Sequence, residues 1–497
     1  MDTQKEFLCL EKNCKIYSKA VDVEGDYQES LPAYLDDIFR VVKCASNSYI
    51  TSADISFNEV KIYGKTEIQI TYYNEDSNLC FADFEEEFSK TVSVDNLSDS
   101  SFVRAYICDK YVNFRVINQR RIDFHTMSVL SINVYDSVKY PTVCSLENAK
   151  LKKESINTSD IVASHIDKID FDEEVTVPSD SKPVSRVVSW SAHPSLTDIK
   201  VIKDKLFVKA MLKVFVLYTT DESEDVENAE YTFSLSKIID KAGLEEDDIV
   251  VADLNTGTVF IKVKGNGDVN STLNIFGEIS VNLTFVREST AEVITDGYLL
   301  GAKSECNYSS FEANTDGRAF ADSRMINTTL EFNGDTDRIY ELSLRLKDVN
   351  YKDGRITANV DATAITGGES GLASLNTSSE IDVPLDNFDE AVVSMYIDDY
   401  DYTISSSGKI DLRLSLGINA YCYNQTNVPV LADITEGEQT DETHTLTVYF
   451  GKANEKVWDI AKNFMSDENE IINENALKSD VLDTPTVLII PRVKEAK

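Results

Sequence analysis

The chain is 497 residues long, with 86 Asp and Glu against 48 Lys and Arg and a net charge of −38 at neutral pH. A surface so acidic repels phosphate backbones and anionic lipid, which excludes nucleic acid and bare membrane as partners and favours basic protein surfaces. A 42% hydrophobic share over this length is too much for one core and points to three or four folded domains.

No stretch has the ~18 uninterrupted apolar residues of a spanning helix, so direct membrane insertion is not expected. The opening Met1–Leu8 has no basic segment leading into an apolar one, so no secretion signal is expected and a cytoplasmic protein is. The eight cysteines, at 9, 14, 44, 80, 108, 144, 306 and 422, make no Cys-x-x-Cys pair. They read as reduced thiols packing as small apolar groups.

From Pro32 onward one constant shift lays the chain on itself without a gap. Pro32 falls on Pro178, Arg40 on Arg186, Val60 on Leu206, Ile62 on Val208, Ile70 on Val216 and Tyr72 on Tyr218. Each copy alternates apolar and polar residues, the period of a half-buried strand. An acidic pair follows the tyrosines, at Glu75-Asp76 and Asp221-Glu222. A second alternating block, opened by Ile122, Leu273 and Ile410, reveals a third copy, which also carries a strand from Gly354 to Val360 in the place of Lys205–Ala210. Ser137–Thr158, Arg287–Gly297 and Gln425–Glu442 are polar and read as hinges. The expected organisation is three β-rich repeat domains at 1–140, 155–288 and 295–424, each a small domain in its own right, then an acidic linker at 425–442 and a last domain at 443–497.

Chemistry-bearing constellations are sparse along this length. His125 lies in an alternating strand, His165 and His193 near the turns that start the second repeat, and His444 at the edge of the acidic linker. No nucleophile elbow, phosphate loop or paired-histidine metal motif occurs, and Gly265-Asn266-Gly267 lacks a following helix to aim amides at phosphate. Glu312, Asn314, Asp316 and Gly317 mimic half of a calcium loop, but Ser323 stands where a bidentate Glu is needed. Asp398-Asp399-Tyr400-Asp401 and Asp221–Asp225 read as solvated loops. No enzyme, cofactor or metal is expected. Trp190 reads as core.

The last domain reads as βααβ. Val448 and Phe450 alternate as a strand, Val457, Ile460, Ala461 and Phe464 recur on one helical face, Glu470–Asn475 is a polar helix, and Val487–Ile490 is an apolar strand closed by Pro491. That order resembles a LysM domain, whose fingerprint is Gly-Asp-Thr-Leu-Trp-x-Ile-Ala and a closing Pro-Gly-Gln-x-Leu-x-Ile-Pro. LysM domains mostly grip N-acetylglucosamine polymers. Here the Gly-Asp-Thr positions are Asn454, Glu455 and Lys456, and the Pro-Gly-Gln positions are Thr484, Pro485 and Thr486. A backbone that must approach sugar closely wants glycine there, so protein recognition is expected above glycan recognition.

The repeats, opened by Glu24-Gly25-Asp26 and Leu31–Val42, together with this ending resemble the SipL and SpoVID class of spore-envelope assembly proteins of endospore-forming bacteria. The resemblance implies a mainly β scaffold at the forespore surface on the mother-cell side, its LysM-like end docking onto a coat-basement ATPase of the SpoIVA type and its β domains contacting other envelope proteins. The partner-binding residues expected are Trp458, Asp459 and Lys462 on the helix, with Asn454, Glu455 and Lys456 in the adjoining loop. Exposed sheet edges are candidates for self-association. The rival reading is a peptidoglycan or N-acetylglucosamine binder using the same module.

Overall fold

The computed structural model describes residues 5–177, 183–220, 223–264, 272–368, 371–437 and 447–491. It is mainly β, and one six-strand pattern occurs three times. Unit 1 comprises β1 (Lys5–Ser30), β2 (Arg40–Ser56), β3 (Glu59–Tyr73), β4 (Leu79–Ser93), β5 (Phe102–Asn118) and β6 (Arg121–Leu146). Unit 2 comprises β7 (Ala149–Thr176), β8 (Val184–Ile202), β9 (Lys205–Thr220), β10 (Ser223–Asp240), β11 (Ile249–Lys264) and β12 (Thr272–Leu299). Unit 3 comprises β13 (Ser304–Glu331), β14 (Ile339–Lys352), β15 (Arg355–Gly368), β16 (Gly371–Pro384), β17 (Glu390–Ser406) and β18 (Lys409–Glu436).

Each unit holds two antiparallel three-stranded sheets, ordered β2-β3-β4 and β1-β6-β5 in unit 1 and likewise in the others. The central strands alternate because one face meets the partner sheet, as in Val60, Ile62, Ile68 and Ile70 of β3. Tight hairpins join neighbours, and Asp353-Gly354 puts both of its residues at positive φ, the conformation a two-residue hairpin demands.

The outer strands are far longer than the sandwiches need. β1 pairs with β6 from Ser30↔Arg121 to Lys5↔Leu146, whereas β5 covers only the stretch of β6 from Arg121 to Tyr135. Beyond it the β1–β6 pair continues alone, as do β7–β12 and β13–β18. At ~3.3 Å per residue these strands approach roughly 90 Å. The three free ribbons pack on one another through Leu10, Val293, Phe311 and Val430, and further out through Val143, Ile294, Leu431 and Ile434. They form a stalk beneath a head of three sandwiches. Here the expected hinges are corrected. Ser137–Leu146, Ala149–Thr158, Arg287–Gly297 and Gln425–Glu436 are strand, because in a three-ribbon stalk their sparse apolar residues have inward places and their polar ones face water. Residues 438–446, the end of the expected acidic linker with His444, lie outside the described residues, as do Pro178, Asp221-Glu222 and Gly265-Asn266-Gly267.

The head closes in a ring. β2 packs on β11, β8 on β17 and β14 on β5, so each unit presents equivalent strands to the next and the third returns to the first. Burial records this. Every central strand carries three consecutive buried residues, Ile70-Thr71-Tyr72, Val216-Leu217-Tyr218 and Ala364-Ile365-Thr366, where alternation gives way because both faces are covered. The units therefore share cores, and the expectation of independent small domains is corrected. Tyr135, Ile161, Val286, Tyr421 and Tyr423, from all three, form one cluster where the head meets the stalk.

The chain ends in β19 (Thr447–Gly451), α1 (Val457–Asn463), α2 (Glu468–Glu474) and β20 (Thr486–Ile490), with β19 and β20 antiparallel. Helices this short are not stable alone. Asp467 caps α2 by accepting from the Asn469 N–H, and Val457, Ile460, Ala461 and Ile471 bury against Leu488 and Ile490.

Candidate interaction surfaces

The C-terminal module sits on the outer end of the stalk. Tyr298, near the end of β12, is 1% exposed and belongs to the module's own buried cluster, with its ring edge-on to Trp458 at 5.0 Å. Its hydroxyl donates to the Ser466 carbonyl at 3.0 Å. Asp296 accepts from Trp458 Nε1 at 2.8 Å, from Lys462 Nζ at 2.5 Å and from the Tyr308 hydroxyl at 2.7 Å. Burial would raise the Asp296 carboxyl, but these donors outweigh it and hold the group below its ordinary value. Lys150 pairs with Asp467 at 2.7 Å, and the Gly301 N–H donates to the Met465 carbonyl at 2.8 Å.

Of the six expected partner-binding residues, Trp458 and Lys462 are thus closed onto the chain's own Asp296. Glu455 braces its loop, accepting from the Lys452 N–H at 2.8 Å and the Tyr449 hydroxyl at 2.7 Å, which hold its carboxyl below the ordinary value. Asn454, Lys456 and Asp459 have exposed side chains. Asn454 has φ +66°, so the left-handed backbone expected of glycine persists here with asparagine, the residue best able to tolerate it.

Two features escaped the sequence. Asp296 falls in a stretch read as a hinge and Tyr298 just past its end, with no local signal of their distant partner. The other feature is the outer face of the β19–β20 ribbon, where Val448, Phe450, Val487 and Ile489 are exposed while Leu488 and Ile490 point inward. Its alternation was visible, but which phase faced the helices was not.

The second candidate region is the axis of the head. Lys43, Ser189 and Glu341 stand opposite Thr71, Leu217 and Ile365, the middle residues of the three buried triplets. They converge, with Lys43 Nζ 2.7 Å from Glu341 Oε1 and 2.9 Å from Ser189 Oγ. Beside Lys43 the units line a partly open chamber of about 1090 Å³, with Asp109, His193, Asp253 and Arg345 among its walls. Arg345 pairs with Asp109 at 3.1 Å. Burial, with Arg345, Lys213 and Lys43 nearby, pushes His193 down to about 4, and burial pushes the Asp253 carboxyl up. Between units 1 and 2, burial pushes Glu67 up to about 8, with Glu85 and Asp83 adding repulsion against relief from Thr258.

Other sequence candidates fall on strands. His165 and His193 lie within β7 and β8 rather than at turns. His125 on β6 contacts Asp26 at 2.7 Å and the Tyr111 hydroxyl at 3.3 Å. Trp190 is buried in the core of unit 2. Asp398–Asp401 is part of β17, not a loop, and Asp399 pairs with Lys213 at 2.7 Å. Glu312–Gly317 is part of β13, not a calcium-type loop. Its Asn314 accepts from Lys12 at 3.1 Å and donates to the Ser159 carbonyl at 2.9 Å. A Cβ on Gly317 would stand 1.8 Å from the Tyr421 hydroxyl, so the bulge there admits only glycine. Among the described residues no cluster of three His, Cys, Asp or Glu is placed to hold a metal ion, and no helix is long and apolar enough to cross a membrane.

Residues 37–117 and 183–264 each match the family model described as SipL, SPOCS domain. The matched stretches run from just before β2 and β8 to the ends of β5 and β11, the inner strands of units 1 and 2, leaving out the long stalk strands. The match supports a SipL-type, spore-associated protein with β-rich repeats. No curated protein and no solved structure matches the chain.

Proposed function

We propose that this protein is a non-enzymatic scaffold in assembly of the bacterial spore envelope, working in the mother cell at the forespore surface. The observation that carries the reading is the paired match to the SPOCS domain model, which ties two of the three units to sporulation. In this reading the head makes envelope contacts. The C-terminal module, similar in element order to a LysM domain, docks onto a coat-basement ATPase of the SpoIVA type. Its position on the stalk tip supports that role, since a module held away from the head is free to reach a second partner. Asn454, Lys456 and Asp459 are available to a partner as the chain stands, whereas Trp458 and Lys462 contribute by fixing the module to Asp296.

A fluorescent fusion of the full chain followed through sporulation tests this. Fluorescence is expected to encircle the forespore, and to disperse when the SpoIVA-type protein is deleted. A signal that stays diffuse throughout sporulation sinks the proposal.

A further inference from the structure

The axis of the head is lined in layers. Lys43, Ser189 and Glu341 hold equivalent places in the three units. Strand alternation then brings Ala45, Ser191 and Ser343 to the same side, and below them Asn47, His193 and Arg345. The opposite sides of these strands are taken, since Cys44, Trp190 and Leu344 pack in the cores. The middle layer is small, which leaves room for the chamber. Its Ser191 hydroxyl and the adjoining His193 Nε2 are buried and have no hydrogen-bond partner among the described residues. Buried polar groups are nearly always partnered, and an unmade bond costs stability, so two on successive layers mark a place made to be filled.

Charge selects the occupant. Lys213 stands directly across the ladder from His193, and Arg345 shares its layer. The charges that act on the His193 ring are those of Arg345, Lys213 and Lys43, all cations. Their counter-ions Asp109, Asp399 and Glu341 are not among them, so the cations stand nearer to the ring. Elsewhere on the wall Asn282 Oδ1 is also buried and unpartnered, and as an acceptor it wants a donor. Asp253, across the ladder from it, already accepts from Asn255 and Ser394. At about 1090 Å³ the chamber exceeds what a bare ion needs and is of the order of the ~300–1,000 Å³ of small-molecule sites. It is bordered by the part-exposed pair Lys110 and Asp348, where unit 1 meets unit 3. We infer that the chamber binds a small oxyanion bearing hydroxyl groups, its charged head on Ser191, His193 and Arg345 and a hydroxyl on Asn282. This holds wherever in the cell the protein works.

The test is titration calorimetry of the full chain with gluconate, glycerol 3-phosphate and sorbitol, at one ionic strength set with chloride. Gluconate and sorbitol share a hydroxylated chain and differ in the carboxylate. Saturable binding of gluconate or glycerol 3-phosphate is expected, at least roughly tenfold tighter than that of sorbitol, and the tighter of the two identifies the head group. Ser191→Ala and His193→Leu are each expected to weaken it at least roughly tenfold. Ser191→Ala removes a hydroxyl that bonds to nothing else among the described residues, so this variant is expected to melt no lower than the unaltered protein. A folded variant that loses the anion therefore reports on the site and not on stability. The inference is overturned if neither anion binds, if sorbitol binds as tightly as they do, or if both variants bind the anion as the unaltered chain does.

Discussion

Lys43 and Glu341 are 5% and 1% exposed and come from the first and third units, so their ion pair ties the ring shut at its axis. Replacing both with apolar residues of similar volume costs little in such pairs, but removing one leaves a buried charge uncompensated. Lys43→Met is expected to destabilise by about 3–5 kcal/mol, with much of that loss recovered in Lys43→Met, Glu341→Leu. Calorimetric melting of the three proteins checks it. Glu67 predicts a pH effect of definite sign. Its folded-state pKa of about 8 lies above the ~4.3 of an unfolded glutamate, so between those values the native state holds a proton the unfolded chain has released. Stability falls as pH rises through that window. Glu67→Gln lacks the fall, so the gap between variant and unaltered melting curves should widen from pH 5 to 9; parallel curves would refute the assignment. Neither residue was legible beforehand. Glu67 lies on a strand whose alternation is visible in the sequence and Lys43 on the strand before it, but alternation says nothing of which polar phase faces a neighbouring unit and which faces water.

The joint between the stalk and the terminal module predicts a spectroscopic signature. The chain has two tryptophans, and Trp190 is 5% exposed within a core. Trp458 therefore dominates quenching by acrylamide. Asp296→Ala removes the acceptor of its indole N–H and the partner of Lys462, so Trp458 quenching should rise while Trp190 stays shielded. Acid should act in the same direction. The Asp296 carboxyl is held below its ordinary value, so its contribution is present above the ordinary carboxylate range and is lost as pH falls through the lowered folded value. Unchanged quenching in Asp296→Ala would disprove the joint. The elements themselves were readable. The helical face Val457, Ile460 and Ala461 and the strand ending at Ile490 follow from periodicity, because each buries one side of its own element. Trp458 stood out as a contact residue, yet its partner lies 162 residues away in sequence, more than a whole repeat, and residue type cannot distinguish an inward docking face from an outward one.

The three units make one ring and one stalk rather than beads on a string. Clusters such as Tyr135, Ile161, Val286 and Tyr423 draw on all of them, so a fragment of residues 1–146 leaves large apolar surfaces uncovered. It is expected to aggregate or lack a cooperative melting transition, whereas a sharp transition for the monomeric fragment would show that the units are self-sufficient. The constant shift between the first two copies announced the repetition, and the third was found from its closing block. The polar stretches between copies misled because a stalk ribbon needs apolar residues only at intervals, which on a single chain looks the same as a linker. The ladder from Lys5↔Leu146 to Ser30↔Arg121 has a consequence for how the protein is made. β1 is synthesised ahead of the rest of unit 1, but among the described residues the one strand it pairs with is β6, the last of the same unit, and at ~5–20 residues per second roughly ten seconds pass before that strand emerges. The same wait recurs for β7 and β13. Throughout synthesis a long unpaired edge is open to capture by neighbouring nascent chains, so slowed or chilled expression should favour soluble product over aggregate.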